Sequence, residues 1–388
     1  NRFSCWPYFG RDEIRAVNRV LRSGKVNQWT GEEVFNFEKE YAQYLGVKHA
    51  VALANGSVAL DIALLVLGIG PGDEVIVPCR SFVASASCVA LRNAIPVFAD
   101  IDRDSQNITV EAVEKVFTKR TKAVLAVHLA GWPCELSALR NFCNRKGIFL
   151  IEDCAQAHGA EYQGKPVGSL GDVSCFSFCQ DKIITTGGEG GLLATNNKKI
   201  WEKAWSLKDH GRNYQAMFNK KHSRGFVWAV ESFGTNYRMT EMQAAIGRIM
   251  LAKLNSWVDK RRKLAEILNQ GFAKLSPLRV TIPPAEARHA YYKYYVFVKP
   301  KELKSGWDRD RIIHTLNKKG IPCGFGSCPE IYREKAFRKL FQSVSRAAQK
   351  RLPIARELGE TSLMFRVHPT LTEEDMRFVV REMGKILA

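Results

Sequence analysis

No stretch of this 388-residue chain is apolar for long enough to cross a bilayer as a helix, so a membrane-inserted protein is not expected. The opening Asn1-Arg2-Phe3-Ser4-Cys5-Trp6 lacks the basic-then-apolar pattern and cleavage site of a signal peptide. A cytoplasmic protein is therefore expected. There is no Cys-x-x-Cys pair among the ten cysteines, whose tightest spacings are Cys175/Cys179 and Cys323/Cys328. That spacing argues against a structural metal and a disulfide framework, and for free thiols in a reducing compartment. Acidic residues are scarce beside basic ones, 39 against 58, for a net charge of +19. The basic residues are nonetheless dispersed, with short clusters at Lys220-Lys221 (Arg224 close behind) and Lys260 to Lys263, and no nucleic-acid-binding module stands out. A diffuse positive field also attracts phosphorylated small molecules.

What is present is an alternation of short apolar runs with segments of helical period. His49 to Ala54, Glu74 to Pro78, Ile95 to Asp100, Ala123 to His128 and Ile148 to Ile151 read as strands. Val58 to Leu67 and Val83 to Leu91 read as helices between them. Strands apolar on both faces and separated by helices predict an α/β fold with a mostly parallel central sheet covered on both sides. From Glu241 to Leu254 the apolar positions Met242, Ala245, Ile246, Ile249, Met250 and Leu254 follow one helix face. After Pro283-Pro284, Tyr291 to Val298 reads as a strand, Asp308 to Lys319 as a helix and Thr372 to Leu387 as a final helix. The length suggests two domains. They are expected as a large unit over 1–250 and a smaller C-terminal α/β unit over 251–388.

In such sheets ligands bind beyond the carboxyl ends of the strands. Asn55-Gly56-Ser57, Pro78 to Phe82, Asp153 and Lys182 all follow strand-like runs and are expected to converge on one crevice. Each has an ordinary reading. Ser57 is a common helix cap residue. Asp153 could cap a helix. Lys182, just past the run Val173 to Phe178, could extend its stem along the surface. Gly187-Gly188-Glu189-Gly190-Gly191 could be no more than a hairpin. Together they suit another chemistry. A desolvated lysine is nucleophilic and forms a Schiff base with an aldehyde. A buried carboxylate needs a cationic partner, such as a pyridinium N–H. A Gly-Ser helix start accepts a phosphate. Those are the requirements of pyridoxal 5'-phosphate (PLP).

The same segments, in order, resemble the DegT/DnrJ/EryC1/StrS family of PLP-dependent sugar aminotransferases. The resemblance runs from Trp6-Pro7 and Val20 to Gly24 through Asn55 to Leu60, Pro71 to Val75 and Glu152 to Gly159. It continues over the Lys182 segment to Gly234 to Ala245. It implies the type I aminotransferase fold. It also implies that Lys182 is the Schiff-base lysine, Asp153 the partner of the pyridinium nitrogen and Gln156 a neighbour of the ring hydroxyl. Gly56, Ser57 and Ser177 match phosphate ligands, and Phe82 the aromatic that stacks on the ring. Asn236 matches a phosphate contact supplied by a neighbouring subunit, which implies a homodimer with shared active sites. Ser57 stands where Thr is common, and Cys179-Gln180-Asp181 departs from the usual approach to the lysine.

The resemblance implies transfer of an amino group from an amino-acid donor, glutamate, to a keto-sugar. The expected acceptor is a nucleotide-linked 4-keto-6-deoxyhexose for a surface polysaccharide such as lipopolysaccharide. Family members with His at the lysine position are dehydratases, and Lys182 therefore implies transamination. His158, Tyr8, Trp29 and the Lys220-to-Arg224 segment are candidate substrate contacts. Two alternatives stay open: amination of a keto-cyclitol, towards which the opening Trp-Pro and the Ile321-to-Tyr332 region point, and a basic nucleic-acid-binding regulator without catalysis. Lys182→Ala is expected to abolish both turnover and the visible absorbance of the loaded protein, measured by assay and absorption spectrum.

Overall fold

In the computed structural model, which describes residues 2–218, 228–343 and 350–388, the apolar runs form strands and the periodic segments the helices between them. The first five strands are β1 (His49–Leu53), β2 (Glu74–Pro78), β3 (Ile95–Ala99), β4 (Thr121–Val127) and β5 (Phe149–Asp153). A short hairpin, β6 (Glu161–Tyr162) and β7 (Lys165–Pro166), precedes β8 (Val173–Ser177) and β9 (Gly191–Thr195). The large sheet has seven strands in the order β1-β9-β8-β5-β4-β2-β3. β8, β5, β4, β2 and β3 run parallel, whereas β9 is antiparallel to both of its neighbours.

Side-chain alternation explains why this sheet is covered on both faces. Ile76, Val97, Val124 and Leu150 point into one apolar cluster with the helix Leu136–Lys146. Val75, Phe98, Leu125 and Ile151 point into the other with the helix Gly56–Val66. A strand buried on both faces must be apolar at every position, which is the pattern seen in the sequence.

The second sheet is built from β10 (Leu278–Val280), β12 (Tyr294–Val298), β13 (Cys323–Gly324) and β14 (Ser362–Phe365), ordered β10-β12-β14-β13 and antiparallel throughout. β11 (Ala287–Arg288) pairs instead with β6. The predicted helix from Glu241 extends to Phe272, 32 residues in all. Thr240 starts it with a capping box: its hydroxyl accepts from the Gln243 N–H at 3.3 Å, and Gln243 Oε1 accepts from the Thr240 N–H at 2.9 Å. The division expected at residue 250 falls inside this helix. One end packs against Arg11–Ser23 and Glu33–Leu45, the other against Glu373–Leu387 and β10. Nor do the first residues stay with the large unit: Phe3 lies 6.4 Å from Phe378, and Arg2 pairs with Asp375 in the last helix. Among the described residues no helix is long and apolar enough to cross a membrane.

Phe37 packs the helix Glu33–Leu45 against the loop that follows β8. It is fully buried, 5.3 Å from the Phe178 ring and 5.7 Å from Tyr41. Phe37→Ala leaves a cavity there and is expected to lower unfolding stability by about 3–5 kcal/mol, read from denaturant titration.

Candidate active site

Two adjacent parallel strands build the centre of the site. Asp153 is the last residue of β5 and pairs in register with Cys175 of β8. Beyond the pair, the Cys154 N–H donates to the Cys175 carbonyl at 2.8 Å. The chain turns after Asp153 without starting a helix, so the capping alternative does not apply. Glu152, one residue back, faces the other side of the sheet, where it accepts from His128 and the backbone N–H groups of Gly168, Leu170 and Gly171. Asp153 is buried. Its Oδ2 accepts from Ser85 at 2.8 Å and its Oδ1 from the Ala155 N–H at 3.1 Å. Burial raises its pKa, and those hydrogen bonds and the Lys182 and His128 charges only partly offset the rise. Ser85 was not singled out in the sequence. Ser85 also lies 3.1 Å from the Ser81 hydroxyl, and no local pattern in the sequence points to it.

Lys182 sits in the loop between β8 and β9, with its side chain mostly buried. Nζ lies 3.8 Å from Asp181 Oδ1 and 5.1 Å from the centre of the Tyr292 ring. The Trp6 indole N–H donates to the Lys182 carbonyl at 2.9 Å and ties the N-terminal segment to this loop. Asp181 accepts from the Tyr292 hydroxyl and pairs with Lys293 at 3.4 Å. Burial pushes the Asp181 carboxyl up, but Lys182, the Tyr292 hydrogen bond and Lys293 together hold it below the ordinary range. Tyr292 and Lys293 lie in a segment that reads in the sequence only as an aromatic strand, so their approach to Lys182 is a tertiary result.

The phosphate-type cradle lies beside the same strand ends. Asn55, not Ser57, caps the helix Gly56–Val66, accepting from the Val58 N–H at 3.0 Å and leaving Ser57 exposed in the first turn. A Cβ on Gly56 would stand 2.6 Å from Ser177 Cβ, so glycine is what lets this helix start press against the end of β8. Gln156 is buried and its Oε1 accepts from the Ala130 N–H at 2.8 Å. Phe82, in the loop after β2, is 63% exposed and free to cover a ring placed over the strand ends.

The remaining candidates divide. His158 does not face a substrate. It is buried, with Nδ1 2.7 Å from the Tyr41 hydroxyl and Nε2 2.8 Å from the Ser177 carbonyl, and burial pushes its pKa down to about 4. It braces β8 from behind. Tyr8 is exposed. Trp29 stacks on Phe218 at 5.9 Å, with the Arg212 guanidinium 5.3 Å from its ring, and belongs to that aromatic cluster rather than to the Lys182 loop. Asn236 is exposed, one residue before the Tyr237 carbonyl that accepts from the Ala54 N–H at 2.8 Å. The Lys220-to-Arg224 segment lies outside the described residues.

These residues fit PLP. The buried Asp153 carboxylate has no cation bonded to it among the described residues and is suited to a pyridinium N–H. Lys182 opens on the same strand ends, and Gly56 and Ser177 meet beside them. A mostly parallel sheet with a buried carboxylate at one strand end and a lysine in the loop after the adjacent strand is the arrangement of a PLP-binding enzyme. The chain matches the DegT/DnrJ/EryC1/StrS aminotransferase family over residues 7–384 and belongs to it. It is 40% identical to a GDP-perosamine synthase from Vibrio cholerae over 286 residues, 74% of each chain. It is 36% identical to a GDP-perosamine synthase from Caulobacter vibrioides over 361 residues, 92% of this chain and 91% of that one. An aminotransferase structure from Psychrobacter cryohalolentis superimposes with a TM-score of 0.95 at 47% identity, covering 99% of this chain and 98% of the other. Membership in an aminotransferase family displaces the reading of a non-catalytic regulator.

A carboxyl whose pKa is raised on folding binds more protons in the folded than in the unfolded state. Stability therefore falls as pH rises from the ordinary Asp value of 3.8 through the raised one. Cofactor-free Asp153→Asn is expected to lack this component of the pH dependence, and to melt at or above the wild-type temperature at neutral pH. It should also bind PLP more weakly. Thermal melts across pH, with and without PLP, check both.

Proposed function

We propose that this enzyme moves the amino group of glutamate to a nucleotide-linked 4-keto-6-deoxyhexose, for a surface polysaccharide such as lipopolysaccharide. The observation that carries the transamination step is the mostly buried Lys182 amine opening on the same strand ends as the buried Asp153. Similarity to two GDP-perosamine synthases supports a nucleotide-linked sugar as acceptor, and the net charge of +19 suits a substrate bearing a diphosphate.

When bound, PLP supplies the aldehyde that carries the amino group and a ring that accepts electrons. Asp153, held by Ser85 and Ala155, would keep the proton on the ring nitrogen. Gly56, Ser57 and Ser177 would hold the phosphate, Gln156 would lie by the ring hydroxyl and Phe82 would cover the ring. With the cofactor bound, Lys182 Nζ would act as the base that removes the proton from the donor carbon in one half of the cycle and, in the reverse half, as the acid that protonates the acceptor carbon. The neighbouring loop favours a homodimer that shares its active sites: Trp228 is 89% and Phe233 100% exposed, close in sequence to Asn236. In this reading the partner's copy of that loop completes the phosphate site. A cytoplasmic setting suits the ten free cysteines.

Incubation with glutamate and a panel of nucleotide keto-sugars, followed by mass measurement, is expected to give an amino product with a nucleotide 4-keto-6-deoxyhexose and none with scyllo-inosose. Initial rates should give the parallel-line pattern of a ping-pong cycle. Amination of scyllo-inosose alone would overturn the assignment in favour of a cyclitol.

A further inference from the structure

The surroundings of Lys182 carry more positive charge than nearby acids balance. Asp181 is shared by two ammonium groups, Lys182 at 3.8 Å and Lys293 at 3.4 Å. Arg261 lies behind them, buried, with its guanidinium 5.2 Å from the Trp6 ring. It donates only to the backbone carbonyls of Tyr291 and Tyr292, and its Nε and Nη2 have no partner among the described residues.

Arg366 adds a further cation. It is exposed, and among the described residues it makes no ion pair. The β12–β14 ladder ends with Tyr294 opposite Phe365, so Lys293 and Arg366 are the next residues beyond its end on the two chains. The field of Arg366 acts on Lys293, whose pKa burial lowers and Asp181 only partly restores. Arg366 also lines a cavity of about 270 Å³ together with Trp6, Pro322 and His368. Trp6 donates to the Lys182 carbonyl, so the cavity adjoins the lysine loop. His368 adds no charge of its own: burial, with Arg261, Arg366 and Lys293, pushes its pKa down to about 3.

Like charges opposed across neighbouring strands repel and weaken the sheet. Of Lys293 and Arg366, only Arg366 lines that cavity; an incoming anion relieves the repulsion between them, and the planar guanidinium fork of Arg366 matches a carboxylate or phosphate. We propose that Lys293 and Arg366 form an anion subsite at the mouth of the Lys182 crevice, which receives a carboxylate or phosphate group carried by a substrate. The proposal rests on the aminotransferase reading of that crevice. A side-chain carboxylate of the donor and the diphosphate of the acceptor offer the same chemistry.

Calorimetric titration of the PLP-loaded protein with 2-oxoglutarate and, separately, with GDP separates the two sources. Arg366→Leu and Lys293→Met are each expected to weaken one probe by about tenfold or more. Loss for 2-oxoglutarate alone assigns the subsite to the donor, and loss for GDP alone to the acceptor. Arg366→Lys should keep part of the affinity, because it retains the charge without the fork. Melting curves identify any variant that fails to fold, and Arg366→Gln then takes the place of Arg366→Leu. Affinities for both probes within about twofold of wild type in folded variants would overturn the subsite. A failure of the keto-sugar panel with these affinity losses intact would count against the proposed acceptor and leave the subsite standing.

Discussion

The pairing of β5 with β8 is the constraint on which the rest of the site depends. It joins two stretches of chain that end in a carboxylate and lead into a lysine loop, and it fixes their relative height through backbone hydrogen bonds. A sheet tolerates little slip here. A shift of one residue would turn Asp153 to the opposite face and bring Glu152, with its web of backbone donors, to the crevice. The apolar alternation on both sides of the sheet forbids that shift, because it would also exchange the two core clusters.

Burial then sets the chemistry of Asp153. A carboxylate with a hydroxyl and one N–H for company is under-compensated, and its raised pKa expresses that cost. Such a group gains most from a cation delivered directly to it. Asp181 shows the opposite case. About half of its side chain is exposed, and two ammonium groups and a phenol hold its pKa below the ordinary value. Two carboxylates near one lysine are thus set apart by their neighbours: one is buried with no cation bonded to it among the described residues, the other sits between two ammonium groups.

The small sheet takes part in the site as well as closing it. Tyr292 and Lys293 reach the lysine loop from the start of β12, while Arg80, buried after β2, donates to Ser362 at the start of β14 at 3.1 Å. The long helix Glu241–Phe272 spans both sheets and resists their separation. The loops bearing Phe82 and Lys182 are therefore each anchored to the same second sheet.

The sequence by itself determined six of the seven strands of the large sheet, its mostly parallel character, and the placing of Gly56, Ser57, Asp153 and Lys182 just after strands, but not the antiparallel β9. It could do so because a strand buried on both faces must be apolar throughout, and polar residues are then conspicuous where each run stops. The length of the helix from Glu241 was only half legible. Its apolar stripe is clear to Leu254, but the later turns bury different faces against different partners. Only the tertiary structure decided that His158 braces β8 from behind, that Ser85 supports Asp153, and that Tyr292 and Lys293 approach Lys182. Those contacts join residues 19 to 117 positions apart. No local periodicity records such distances, because they follow from how whole sheets pack rather than from the spacing of neighbouring residues.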